Sequence, residues 1–423
     1  MRRLIWFISL LLWISMSSAA VAKVYTLTIE NPNYKPIKIG LWGFFKKNNK
    51  IEAQLEKTIM RDLEISGLFS VDRSQHFSYE APTKVVQGIA KLDNLNYIVY
   101  GNAFKTGKDV YVNVKMIDVA KDLVFFDHSY YSNMSSFDWV GNIIVDELIG
   151  YVTGTYGPFE SRIVFSKGKG KVRDIYVCDF NGEHVQRLTN WHTMNILPKW
   201  INNSTITFLS YRYGKPSVFI MNIYKGTVRR LFDQSSLSIS AVKFDDNKFA
   251  IPFEKNGAVN IYVVNNKGKI VRQLTNSFEI DVSPCFTSDY TKMIYVSNAT
   301  GSPQIYIKDL TGFGTVKRLT YNGNYNSSPA ISPDNRKIAY ISIEGGMDYL
   351  KVMNIDGTDD KPIMFGFNID SPSWAYDSRF VAVTAEIDGK KGIYIVNTLN
   401  NHYSIATGDD NMYNGLSVSG KIE

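Results

Sequence analysis

Apolar residues fall on two different periods along this chain, and the change of period divides it. Residues 24–29 (VYTLTI) alternate and are rich in β-formers, and residues 37–45 (IKIGLWGFF) read as a second strand. Leu55, Ile59, Leu63 and Ile65 recur at roughly helical spacing within residues 52–66, with charges between them. Gly67 stops that helix, because glycine tolerates the left-handed backbone of a helix end. Residues 85–95 predict a weaker helix, and residues 97–103, 110–117 and 123–131 predict three strands. Over residues 136–153, Phe137, Val140, Ile144, Leu148 and Val152 lie near one helical face. Residues 23 to about 156 are therefore expected to form a compact α+β domain, a mixed sheet with helices.

From about residue 159 the helical period vanishes, and short strands follow one another between Gly, Asn and Asp turns. The region repeats itself. Pro198, Ala241, Pro284, Pro329 and Pro372 hold one repeat position, with steps of 43, 43, 45 and 43 residues. The fullest copy is residues 328–340 (SPAISPDNRKIAY), beside residues 283–295 (SPCFTSDYTKMIY) and 371–383 (SPSWAYDSRFVAV). A second position is Ile175, Val218, Ile261, Ile305, Leu350 and Ile393, with steps of 43, 43, 44, 45 and 43. A third is the run Arg187-Leu188-Thr189, Arg230-Leu231-Phe232, Gln273-Leu274-Thr275 and Arg318-Leu319-Thr320. Six copies of about 43 residues, each four short strands, predict an all-β six-bladed propeller over residues 159–423. The first copy lacks the Ser-Pro strand and starts directly at Arg162. Residues 415–419 stand unpartnered at the other end, so this tail is expected to supply the missing strand and close the ring. The repeated Asp289, Asp334 and Asp377 sit in tight bends, where a carboxylate accepts backbone N–H bonds, and read as structural.

The beginning of the chain reads as an address. Arg2 and Arg3 precede an apolar stretch over residues 4–14, and Ala20-Val21-Ala22 ends a run of small residues. That order predicts a secretory signal peptide over residues 1–22, since the apolar part is shorter than the roughly 20 residues a bilayer span needs. The mature chain is expected to begin near Lys23, soluble in an exported compartment. Composition adds little beyond exclusions. With 44% hydrophobic and 21% charged residues, a mostly disordered chain is excluded. The 13% aromatic content leans towards β structure. The +7 charge is spread thinly and does not point to a nucleic-acid site. Cys178 and Cys285 are expected to be buried small apolar side chains, with a disulfide left open by the compartment.

Catalytic patterns are missing. Residues 415–420 (GLSVSG) lack the G-x-S-x-G spacing of a nucleophile elbow, and no H-E-x-x-H occurs. His76, His128, His184, His192 and His402 share no ligand spacing, and residues 166–171 (SKGKGK) fit no phosphate loop. Residues 354–360 (NIDGTDD) lack the twelve-residue calcium-loop pattern and read as a turn. No enzyme activity, cofactor or metal is expected.

Residues 62–69 (DLEISGLF) are similar to the D-L-x-x-S-G-L/K-F helix end of the TolB family, exported components of the Tol–Pal system of Gram-negative envelopes. Residues 146–163 (DELIGYVTGTYGPFESRI) resemble that family's junction, D-E-x-x-x-x-L-T-G-x-x-G-x-F-x-[ST]-R-I, and the repeats resemble its six-bladed propeller. The W-S-P-D-G form of the repeat is eroded in every copy, as at residues 199–203 (KWINN) and 243–246 (KFDD), and Ala241 stands where the other copies carry Pro.

The resemblance implies binding without chemistry. It implies a periplasmic, monomeric protein, peripheral to membranes through its partners, that binds the peptidoglycan-associated lipoprotein Pal at one mouth of the propeller channel and TolA through its N-terminal strand segment. The system links inner membrane, cell wall and outer membrane during division. The residues just before each repeated Pro are the mouth candidates, because a loop entering the innermost strand of a blade sits near the axis. Leu197, Leu237, Ser238, Ser240, Asp281, Val282, Ser327 and Asp370 are singled out among them. The TolA-facing arm, residues 23–31, is represented by Val24, Tyr25, Thr26, Leu27, Thr28 and Ile29. A propeller scaffold or glycan-binding protein is the alternative reading.

Overall fold

The computed structural model describes residues 34–44, 50–233, 241–245, 247–312 and 314–422. The expected signal peptide, the arm from Val24 to Ile29, and Leu237, Ser238 and Ser240 lie outside the described residues.

An N-terminal α/β region comes first. Its five strands are β1 (Ile37–Leu41), β2 (Phe69–Asp72), β3 (Tyr97–Thr106), β4 (Asp109–Asp118) and β5 (Leu123–Asn133), in the order β2-β1-β3-β4-β5. β1 runs parallel to β2 and β3, whereas the β3-β4 and β4-β5 pairs are antiparallel, so the sheet is mixed. Helices α1 (Lys50–Ser66) and α3 (Trp139–Thr153) share a core with one face, where Leu55, Ile59, Ile144 and Leu148 meet Val99, Val112, Val114 and Met116. Helix α2 (Thr83–Leu92) places Val86 and Ala90 in a second cluster with Trp42, Ile98, Tyr100 and Ile117. Gly67 ends α1 at φ +59°. Two details depart from the sequence reading. β1 stops at Leu41 rather than residue 45, because the chain bends there and Trp42 Nε1 donates to Asp72 Oδ1 at 2.8 Å. β2 was not expected, since four residues are too few to establish an alternation.

A β-propeller follows. Four sheets have four strands each, and the fifth has seven. The expected row of separate four-stranded units therefore merges at one place. The 14-residue strand Lys361–Trp374 pairs with Met347–Asn354 along its first half and with Phe380–Ile387 along its second, so the ladder never breaks between them. At the ring's other joint, Met412–Val418 pairs antiparallel with Arg162–Lys169, in a sheet that continues through Val172–Asp179 to Gln186–Arg187.

The repeated motifs each have a local cause. In the Arg-Leu-Thr runs the leucine is buried at Leu274 and Leu319 and half-buried at Leu188, and its amide bonds the carbonyl of Ile261, Ile305 or Ile175 at 2.8 Å. The threonine hydroxyl then accepts the amide of that same isoleucine at 2.9–3.0 Å, standing in for a strand carbonyl. It also donates to Asp174, Asn260 or Gln304. In the Ser-Pro-Asp turns the aspartate does bond locally: Asp289 Oδ1 accepts Thr287 Oγ1 and Thr291 N, and Asp334 Oδ1 accepts Ser332 Oγ and Arg336 N. The next residue, glycine in the unworn motif, is left-handed here without being glycine: Tyr290, Asn335 and Ser378 have φ of +56°, +61° and +60°.

Asn335 has a reason to replace glycine. Its Oδ1 accepts Ser288 N at 2.9 Å and its Nδ2 donates to Ser288 Oγ at 2.6 Å, tying its turn to the neighbouring sheet. Asn335→Ala keeps the backbone cost and loses both bonds. It is expected to lower stability by about 2 kcal/mol in denaturant unfolding, and Asn335→Gly by clearly less. Equal losses would remove the backbone part of this explanation.

The two regions share one continuous core, in which Leu63 and Leu148 join Phe159, Phe180, Phe380 and Ile393. Polar contacts fasten the end of α1 to the propeller: Asn397 Nδ2 donates to Ser66 O and Asn400 Nδ2 to Gly67 O, each at 2.8 Å. Asn181 Nδ2 donates to Asp62 Oδ1 at 2.8 Å. Arg379 bonds Thr155 O at 2.6 Å and Tyr156 O at 3.0 Å while pairing with its own Asp377. Asp377, the third repeated aspartate, thus serves both its turn and the junction.

Candidate interaction surface

The innermost strands converge on the propeller axis, and four of them bring the same awkward backbone with them. Leu197, Ser283, Ser328 and Ser371, each immediately before a repeated proline, have φ between +52° and +54°. Their strands carry register shifts at this point, so two residues oppose one. Left-handed non-glycine residues at the same place in four copies are held there by the ring, and such strain gathers at functional positions.

Two cavities open on these residues. A narrow axial one of about 100 Å³ is lined by Leu197, Lys199, Ser283, Ser328, Asp370 and Ser371, with the prolines between them. A wider one of about 620 Å³ adjoins it through Ser283, Ser328 and Asp370, and is walled by Val282, Ser327 and several isoleucines. Ile280 and Tyr325 in its lining are exposed, and so are Phe278 at 99%, Tyr321 at 69% and Phe367, each within a few residues of a lining residue along the chain. Asp370 is held by hydroxyls: Ser328 Oγ donates to Oδ1 at 2.9 Å and Ser371 Oγ to Oδ2 at 3.0 Å. Lys199 Nζ donates to Leu416 O at 3.2 Å. Burial lowers its pKa below the ordinary lysine value, opposed by the charge of Asp370.

Of the nominated residues, Leu197, Val282, Ser327 and Asp370 meet around these cavities. Asp281 does not. It is 3% exposed, and its carboxylate accepts Ser277 Oγ at 2.9 Å. Its counterparts three residues before the repeated proline, Asn195 and Asn326, are also fully buried, and their amides tie neighbouring strands. Side chains alternate along a strand, so positions two and three before the proline face opposite ways. The sequence reading missed Tyr325, two residues before Ser327 on the same strand, and Asp348, which comes from Met347–Asn354.

The side chains that suggest chemistry have other partners. His184 Nδ1 lies 2.6 Å from Asp179 and its Nε2 2.9 Å from Asp138, a contact between the two regions. Burial pushes the Cys285 thiol up to about 12 and the Cys178 thiol up as well, and neither cysteine is in a disulfide. Among the described residues, no group of three or more His, Cys, Asp or Glu is placed to hold a metal ion. No described helix is long and apolar enough to cross a membrane.

Comparison with known proteins supplies the rest. The family model described as the TolB amino-terminal domain matches residues 25–123, and that of the TolB beta propeller domain matches residues 150–411. A curated "Protein TolB homolog" from Chlorobium chlorochromatii is 30% identical over 254 residues, covering 58% of this chain and 57% of that protein. The "Tol-Pal system protein TolB" of Helicobacter pylori is 29% identical over 195 residues, covering 45% and 46%. The chain thus spans about half the length of the curated relatives it matches. Among solved structures, TolB from Acinetobacter baumannii superposes with a TM-score of 0.82 at 20% identity, covering 93% of this chain and 99% of that one, a likeness of fold.

Proposed function

Since the chain belongs to the TolB family, we propose that it is a non-enzymatic periplasmic component of the Tol–Pal system, binding Pal at the propeller mouth and TolA through its N-terminal segment. In that role it supports outer-membrane integrity and envelope constriction at cell division. The observation that carries the reading is convergence. Repeat positions from three sheets, Leu197, Val282, and Ser327 with Asp370, border two adjoining cavities, with the exposed Ile280 and Tyr325 in their lining. A concave surface that mixes apolar side chains with fixed polar groups suits recognition of another protein.

The ring behind this mouth is read as six blades over residues 159–423, after an α/β domain spanning residues 23–156. In support, the long strand of the seven-stranded sheet changes partners between Gly366 and Phe367, as two blades sharing one strand would. The terminal strand beside Arg162–Lys169 then acts as the closing piece.

A pull-down separates this reading from a glycan-binding propeller. The chain from residue 23 is expected to be retained by the Pal periplasmic domain of the same organism. Retention on glycan resin without Pal binding would favour the alternative. For TolA the segment with Val24 to Ile29 is the candidate. Deleting residues 23–31 is expected to leave the melting temperature within a few degrees while abolishing capture by TolA. A truncated chain that unfolds would count against a separable arm.

A further inference from the structure

We propose that the 620 Å³ cavity at the mouth receives a lysine or arginine side chain of the docking partner; this rests on reading the mouth as the partner-binding surface. Asp348 and Asp370 are the charged residues among those lining it. Both are oriented without being neutralised. Two serine hydroxyls hold Asp370, and Ile369 N donates to Asp348 Oδ2 at 3.1 Å. Among the described residues neither carboxylate forms an ion pair. Lys199 lies in the narrower axial space, where it and Asp370 attract each other, and one cation against two carboxylates leaves the mouth net negative.

The rest of the lining is mixed: Val282, Ile341, Ile343 and Ile369 are apolar, and Ser283, Ser327, Ser328 and Asn298 are neutral and polar. This combination selects the occupant. An acidic side chain would meet like charge. A purely apolar knob would strip water from two carboxylates and return nothing, a cost of several kcal/mol for a desolvated ion. A lysine or arginine satisfies both halves, its methylene stem lying along the isoleucines while its charged head reaches the carboxylates. A planar guanidinium bridges two acceptors in a way an ammonium does not, so arginine is the better fit.

The test uses the chain from residue 23 and the Pal periplasmic domain of the same organism. Asp348→Asn combined with Asp370→Asn keeps the shapes and one acceptor oxygen on each residue. Pal affinity is expected to fall at least about 30-fold, with a weaker dependence on salt and an unchanged melting temperature. Unchanged affinity in the double variant overturns this inference and leaves Pal binding standing. If the wild type does not bind Pal, or the variant unfolds, fluorescent peptides of sequence Leu-Arg-Leu and Leu-citrulline-Leu decide on the wild-type chain. A clear preference for the arginine peptide, removed by 300 mM salt, supports the cation site, and equal or absent binding of the two overturns it.

Discussion

Cutting the chain after Asn411 is expected to abolish its cooperative unfolding transition. The removed strand, Met412–Val418, puts Leu416 at 0% and Val418 at 9% exposure. It also ties three sheets. It pairs with its own sheet through Leu416↔Phe165, Ser417↔Val164 and Val418↔Ile163. Lys199 Nζ reaches Leu416 O and Trp200 N reaches Ser417 Oγ from the sheet on one side, and Val418 N reaches Ser373 Oγ on the other. Losing two buried apolar side chains costs about 3–6 kcal/mol by transfer alone. The Arg162–Lys169 edge is then bared as well, and a domain holds only about 5–15 kcal/mol in total. Leu416→Ala, a milder version, is expected to cost about 2–5 kcal/mol. Circular dichroism and urea titration check both. A truncated chain melting within a few degrees of the parent would mean that the ring does not depend on its last strand.

The second large effect is expected at Asp146, which is fully buried where α3 meets the propeller. Its Oδ1 accepts Phe159 N at 3.0 Å and its Oδ2 accepts Glu160 N at 2.9 Å. Tyr376 Oη lies 3.3 Å from Oδ2 and also donates to Gly157 O. A phenol has one hydrogen, so a protonated Asp146 completes the set by donating to Tyr376. Burial, with the nearby charges of Glu160 and Asp377, does push its pKa up to about 8. Asp146→Asn sets an amide N–H against a backbone N–H and is expected to cost about 3 kcal/mol. The folded state keeps this proton up to about 8, whereas the unfolded chain loses it near the ordinary carboxylate value of about 4. The group's contribution is therefore fully present below about 4 and disappears as the pH rises through about 8. Denaturant unfolding should show the wild type losing stability between pH 6 and pH 8, and the asparagine variant losing less. A steeper loss in the variant would contradict this assignment.

What the sequence revealed, and what it hid, follows from the range of each interaction. Leu55, Ile59 and Leu63 mark α1 because helical period is local, and the repeated prolines mark the innermost strands because each copy meets the same neighbours. The 146–163 motif was legible as a string, yet its reason is three-dimensional: Asp146 grips the amides of Phe159 and Glu160 from thirteen and fourteen residues away. Adjacent Asp281 and Val282 were both nominated, although successive strand residues face opposite sides. Asp348 was invisible for another reason. It reaches the cavity from Met347–Asn354, the strand paired with Lys361–Trp374, and its bond to Ile369 N across twenty-one residues of sequence brings it beside Asp370.

Isothermal titration of the chain from residue 23 with the Pal periplasmic domain tests the central claim most directly, run beside Val282→Lys at the cavity wall. The account predicts saturable one-to-one binding at micromolar affinity or tighter, weakened at least about 10-fold by the lysine without loss of fold. No saturable heat at tens of micromolar, or equal binding by both proteins, would contradict it.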